Sequence, residues 1–247
     1  MKNLLIIPFL VLILLSCKKE PKQGQITLNF EHIVAEKPFE LNTENYVSPT
    51  SHPYQITKLQ YYVSNVTFIG DGGVEQIFAT GHLIDASVEN TNKVVFQDIN
   101  PNKYNKVKFR FGFLKEDNQI NFLENTSANQ NMEWPTQLGP GAYHYMKFEG
   151  KYDSLSTGTI KSFIYHFGPT NGNDNSFEVV LNIDEFEIDD NLFNIYINTD
   201  LQEWFQNPTS YNFPEYKMVM MNQSFQEIYQ ANGQNVFSFK QLTQDAE

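Results

Sequence analysis

The chain has 247 residues, 40% of them hydrophobic, which is enough to bury one large core, and it carries a formal charge of −12 at pH 7. So acidic a balance, with no Lys/Arg cluster beyond residue 25, excludes nucleic acid as a partner, because phosphate backbones demand clustered cations. With 21 Phe and 13 Tyr the composition favours strands over helices, and an all-β domain is the first expectation.

At the N-terminus, Met1-Lys2-Asn3 precedes the apolar run LLIIPFLVLILL, too brief for a comfortable membrane span, so residues 1–16 read as a secretory signal. Leu14-Leu15-Ser16-Cys17 resembles the lipobox of bacterial lipoproteins, in which Cys17 becomes the lipidated first residue of the mature chain. Cys17 is also the one cysteine, so lipidation leaves no free thiol, disulfide or cysteine metal ligand. Residues 17–25 are polar, with Pro and Gly, and suit a tether; the folded body is expected over 26–247. An acyl anchor at Cys17 would fix the protein to a membrane without a span. The lack of an acidic run after it favours the periplasmic face of the outer membrane over surface display.

From Ile26 the text alternates: Ile26, Leu28, Phe30 and His32 share one strand face. QITKLQYYVSNVTFIG, the reversal Gly70-Asp71-Gly72-Gly73 and VEQIF read as a hairpin. GHLIDAS, KVVFQDI, NKVKFRFGF, SFEVVLNID and NLFNIYINTD add short strands at the spacing of a sandwich. Helical signals are confined to the end of the chain. Thr199 is placed to cap a helix DLQEWFQ that Asn207-Pro208 stops, and a second helix is expected within YKMVMMNQSFQEIYQAN before a last strand VFSFKQL. The expected architecture is a Greek-key β-sandwich with a minor helical C-terminal region.

The sequence has no GxSxG, HExxH, P-loop or GxGxxG motif, which removes the usual grounds for proposing an enzyme, and no turnover is expected. NGNDNS, Asn171 to Ser176, spaces oxygens in a manner faintly like a calcium loop, but Asn/Asp-rich turns form for conformational reasons alone. IDEFEIDD reads as a solvated, charged strand edge. Met218, Met220 and Met221 read as core fillers.

Chemistry gathers in MEWPTQLGPGAYHYMKFEGKYDS, Met132 to Ser154, which holds one of two tryptophans, two methionines and a histidine. If GAYHYMKFEG and TIKSFIYHFG close as an antiparallel hairpin near Ser154 and Leu155, His144 and His166 face each other, with Met146 on the same face. Directly opposed Cβ atoms lie about 4.5–5.5 Å apart, near enough for two imidazoles to share an ion. Trp134 enters from the loop before. A two-imidazole site without thiolate suits copper, Cu(I) more than Cu(II).

These segments resemble the MbnP-like copper-binding domain of bacterial envelope proteins: M-E-W-P, G-A-Y-H-Y-M-K-F-E-G-K-Y and F-I-Y-H-F-G, with I-T-K-L-Q-Y-Y-V-S-N-V-T and V-K-F-R-F-G-F upstream. The resemblance implies a β-rich periplasmic or surface protein that binds copper for acquisition, storage or delivery. In some members binding uses histidine and a tryptophan oxidised to kynurenine by a partner di-haem peroxidase-like enzyme. Carried over, Trp134 would be the oxidisable tryptophan, and His144 and His166 the candidate ligands, with Met132 nearby. The chain departs from tryptophan-modified members in having Pro135-Thr136-Gln137 where they often show a second tryptophan. The rival expectation is a lipoprotein module that binds glycan or protein through exposed aromatics such as Trp204, without metal.

Overall fold

The computed structural model describes residues 23–43, 46–154, 158–189, 191–216 and 219–245; Cys17, the signal segment, most of the tether and Met218 lie outside them. In chain order the strands are β1 (Gly24–Val34), β2 (Lys37–Pro38), β3 (Tyr46–Val47), β4 (Pro53–Gly70), β5 (Glu75–Asp85) and β6 (Lys93–Ile99). There follow β7 (Asn102–Phe111), β8 (Met146–Ser154), β9 (Thr159–Phe167), β10 (Phe177–Ile188), β11 (Leu192–Asp200) and β12 (Phe237–Gln244). The helices are α1 (Ser127–Asn131) and α2 (Gln223–Gly233).

Two sheets form the expected sandwich. One runs β12-β11-β1-β2 with β6 also paired to β1; the other runs β10-β7-β4-β8-β9 with β3 and β5 paired to β4. Period-2 burial makes each strand two-faced: in β8, Met146, Phe148, Gly150, Tyr152 and Ser154 turn inward while Lys147, Glu149, Lys151 and Asp153 do not. Aromatic rings join the sheets, as where Phe30 of β1 meets Phe109 of β7 edge-on at 5.6 Å and Phe237 of β12 meets Phe109 at 5.2 Å. Ile183 to Ile188 of IDEFEIDD fall in β10, an edge strand, with Asp184, Glu185 and Glu187 exposed, and so match the reading as a charged edge; Asp190 lies outside the described residues.

Three expectations change. The helix at DLQEWFQ is only a 3-10 turn over Glu203–Phe205. Thr199 is spent in β11 opposite Phe237, and Asp200 Oδ1 instead accepts from the Gln202 N–H at 3.0 Å. Met221 is 75% exposed, so it is no core filler. Trp204 is fully buried, stacked on Tyr229 at 5.0 Å, and most tyrosines are buried with it; the exposed aromatic surface that a glycan-binding module needs is not offered by these residues.

Candidate metal centre

The β8–β9 hairpin closes between Ser154 and Thr159, a longer loop than the sequence reading assumed, and this sets the register. His166 therefore pairs with Lys147 and not with His144, and Met146, opposite Phe167, points into the core. A three-residue shift reverses parity. His166 lies on the outer face with Ile164 and Ser162, where Glu149 of β8 reaches its Nε2 at 3.0 Å.

His144 reaches that face by another route. It precedes β8, in a run Ala142 to Met146 that is buried at every position and has left the pleat. The segment is held by a short antiparallel contact: the His144 N–H donates to the Met132 carbonyl at 2.7 Å and the Trp134 N–H to the Ala142 carbonyl at 2.8 Å, around the bridge Glu133 to Tyr143. Buried Asn118 fixes the other side, its Oδ1 accepting from the Ala142 and Tyr143 N–H groups at 3.0 and 2.8 Å. In consequence the His144 and His166 rings meet at 90° with centroids 5.0 Å apart, and the Trp134 ring lies 4.8 Å from His144.

Hydrogen bonding selects the nitrogen that each imidazole leaves free. His144 Nδ1 lies 3.1 Å from the Met132 carbonyl oxygen, which can only accept, so Nδ1 carries the proton. Nε2 is then a bare lone pair, buried and without a partner. Burial first, then the charges of Lys147 and His166, push the His144 pKa down to about 3, so the ring is neutral at physiological pH. In His166 the carboxylate takes Nε2–H, so Nδ1 is the nitrogen left to coordinate an ion. That hydrogen bond, with Lys58 at 3.5 Å, holds Glu149 below the usual carboxylate range against its partial burial. Lys147 donates to the Asn131 carbonyl, and burial followed by Lys58 lowers its pKa.

Trp134 is nearly buried and its indole Nε1 also lacks a partner. It packs on Gly168, where a Cβ would come within 2.5 Å of Cζ3. Met132 is wholly buried in the core and serves His144 through its carbonyl. Of the four candidates, His144, His166 and Trp134 are thus brought ring to ring, with Met132 beside them. No group of three His, Cys, Asp or Glu able to hold a metal occurs among the described residues. Two imidazoles, one of them with an orphaned lone pair, and no thiolate or third ionisable ligand make a donor set that a copper ion can accept, without the oxygen ligands of a Ca²⁺ site or the four ligands of a structural Zn²⁺ site.

The other three histidines and the NGNDNS loop are accounted for locally. His32 Nε2 meets the Tyr61 hydroxyl at 2.9 Å, His52 Nδ1 the Asp153 carbonyl at 2.7 Å, and His82 Nε2 the Thr80 hydroxyl at 2.9 Å. In the NGNDNS loop, Asp174 Oδ1 is engaged by the Tyr145 hydroxyl and the Ser176 N–H, and Asn175 holds the Gly168 carbonyl, so those groups serve the turn. Sequence reasoning missed Glu149 and Asn118. The first follows from the parity of β8 and β9 once their loop length is known; the second had no signal in the sequence.

A sequence-family profile described as MbnP matches residues 23–221. Among solved structures the chain is similar to MbnP from Methylosinus trichosporium, with a TM-score of 0.59 and 13% identity over 91% of this chain and 100% of that one. At that identity the likeness is one of fold. No curated protein matches the sequence significantly.

Proposed function

The chain belongs to the MbnP family, and from that premise we propose that it is a non-catalytic copper-binding lipoprotein of the cell envelope. Anchored through Cys17, it holds the ion for acquisition, storage or delivery at the periplasmic face of the outer membrane. The observation that carries this reading is the buried, unpartnered Nε2 of His144 beside the His166 ring. A buried polar atom left unpaired costs on the order of 1–3 kcal/mol, a cost that an incoming ion removes. His144 Nε2 and His166 Nδ1 would hold the copper, and Met132 and Trp134 border it.

Trp134 is the residue whose oxidation to kynurenine would add an aromatic amine to this donor set, since unmodified indole is a donor-only group. Its packing against the imidazole and its unpartnered Nε1 support that role, with a di-haem peroxidase-like enzyme as the oxidising partner. Tandem mass spectrometry of the Trp134 peptide from the native host reads the modification directly.

The test of copper binding is metal analysis of the mature domain after anaerobic Cu(I) loading, with His144→Ala and His166→Ala in parallel. Wild type should retain one equivalent. Each variant should lose affinity by more than the ~10–100-fold that removal of an outer-shell partner costs. Equal retention by wild type and both variants, or none by wild type, would overturn the proposal.

A further inference from the structure

The imidazole pair depends on a short stretch of backbone, 166–168, that is gripped from α2. Gln226 is 1% exposed. Its Oε1 accepts from the Gly168 N–H at 3.0 Å, and its Nε2 donates to the His166 carbonyl at 2.9 Å and the Val219 carbonyl at 3.3 Å. The helix repeats the device on either side. Gln223 Nε2 donates to Asn175 Oδ1 at 2.9 Å, while Asn175 Nδ2 holds the Gly168 carbonyl at 2.7 Å; Gln230 Nε2 donates to the Ser176 carbonyl at 2.9 Å. Steps of three and four residues put Gln223, Gln226 and Gln230 on one helical face.

A helix that merely covered β9 could do so with apolar side chains, as Phe225 and Tyr229 do against Tyr165 at 5.4 and 5.8 Å. A buried amide on the same helix is a costly choice unless its hydrogen bonds do something packing cannot. Two of the three bonds end on residues the centre needs: His166, which carries a candidate ligand nitrogen, and Gly168, on which the Trp134 ring rests. Both backbone polar groups of Gly168 are thereby fixed, the N–H by Gln226 and the carbonyl by Asn175. α2 starts at Gln223, past the stretch 23–221 that the family profile covers.

We infer that Gln226 is the positioning residue of the centre: by fixing the backbone at 166–168 it sets where the His166 ring and the seat of Trp134 stand relative to His144. The metal arm of this inference rests on the copper reading; the geometric arm does not.

The experiment compares Gln226→Met, which removes all three bonds at near-constant volume, with Gln226→Glu, which keeps an acceptor for the Gly168 N–H but loses both donations. Ile195→Val, in the other sheet, serves as the control for lost stability. In the metal-free protein, nitrogen-15 NMR of the His144 and His166 imidazoles and of the Trp134 indole should shift in Gln226→Met and, less, in Gln226→Glu, but not in the control. Cu(I) competition against a chromophoric chelator should show an affinity loss of about tenfold or more in Gln226→Met and none in the control. Should Gln226→Met not fold, Gln226→Glu carries both readouts. Unmoved imidazole and indole signals overturn the inference, as does an affinity loss matched by a control of equal Tm. If wild type takes no copper, the functional reading fails while the metal-free spectra still decide the role of Gln226.

Discussion

The His144 and His166 rings meet at right angles, 5.0 Å between centroids, although no ladder pairing joins the two residues. His166 is set by the β8–β9 register, and His144 by hydrogen bonds to Met132 and Asn118-held backbone. Two independent pieces of structure therefore converge on one point, and each can be perturbed separately.

Glu149 acts on the His166 side. Glu149→Gln keeps the shape of an acceptor for Nε2–H but removes the charge, and Cu(I) affinity measured by chelator competition should fall ~10–100-fold with little change in fold. An unchanged affinity would show that the carboxylate does not tune the centre.

Gly168 acts on the Trp134 side. In Gly168→Ala the new methyl would come within 2.5 Å of the indole Cζ3, so either the ring moves or strain is stored. Thermal or denaturant unfolding should show a loss of about 1–3 kcal/mol, with the Trp134 indole NMR signal displaced. A variant of native stability with an unmoved indole signal would contradict this packing.

Trp204 separates a core role from a surface one. It is fully buried among Phe111, Phe177 and Tyr229, so Trp204→Ala should cost about 3–5 kcal/mol in chemical denaturation. Loss of a glycan or protein ligand without loss of stability would restore the rival, aromatic-surface reading.

His32 predicts a pH dependence. Burial lowers its pKa to about 4, below the ordinary 6.5, so between those values the unfolded chain binds the proton and the folded protein does not. Stability should be fully present above pH 6.5 and decline as pH falls towards 4. His32→Gln, which can still meet the Tyr61 hydroxyl, should flatten that decline in Tm measured against pH. Equal slopes for the two proteins would remove His32 as a source of it.

The sandwich was legible in the sequence because alternation fixes face and length locally: β1, β4 and β10 follow the apolar pattern of Ile26-Leu28-Phe30, Leu59-Tyr61-Val63 and Val179-Leu181-Ile183. The site was legible as residue types but not as geometry. The pairing of His166 depends on a hairpin loop whose length the polar run YDSLST does not disclose, and an error of three residues inverts every face. The rings meet nonetheless because His144 lies outside the ladder, held by contacts to Met132 and Asn118 that only tertiary structure brings near. The helix at DLQEWFQ failed for a related reason: Thr199, read as its cap, is committed to β11, and no side chain caps the short turn that forms instead.

The parallel pairing of β1 with β11, from Gln25 opposite Leu192 to Ile33 opposite Asp200, has a kinetic consequence. A chain that emerges N-terminus first carries β1 with one edge unsealed until nearly all of the remainder has followed. The five-stranded sheet must close late, on the slow scale of roughly milliseconds to seconds typical of high-contact-order folds. During that wait the open edge of β1 is where misassembly between copies would begin.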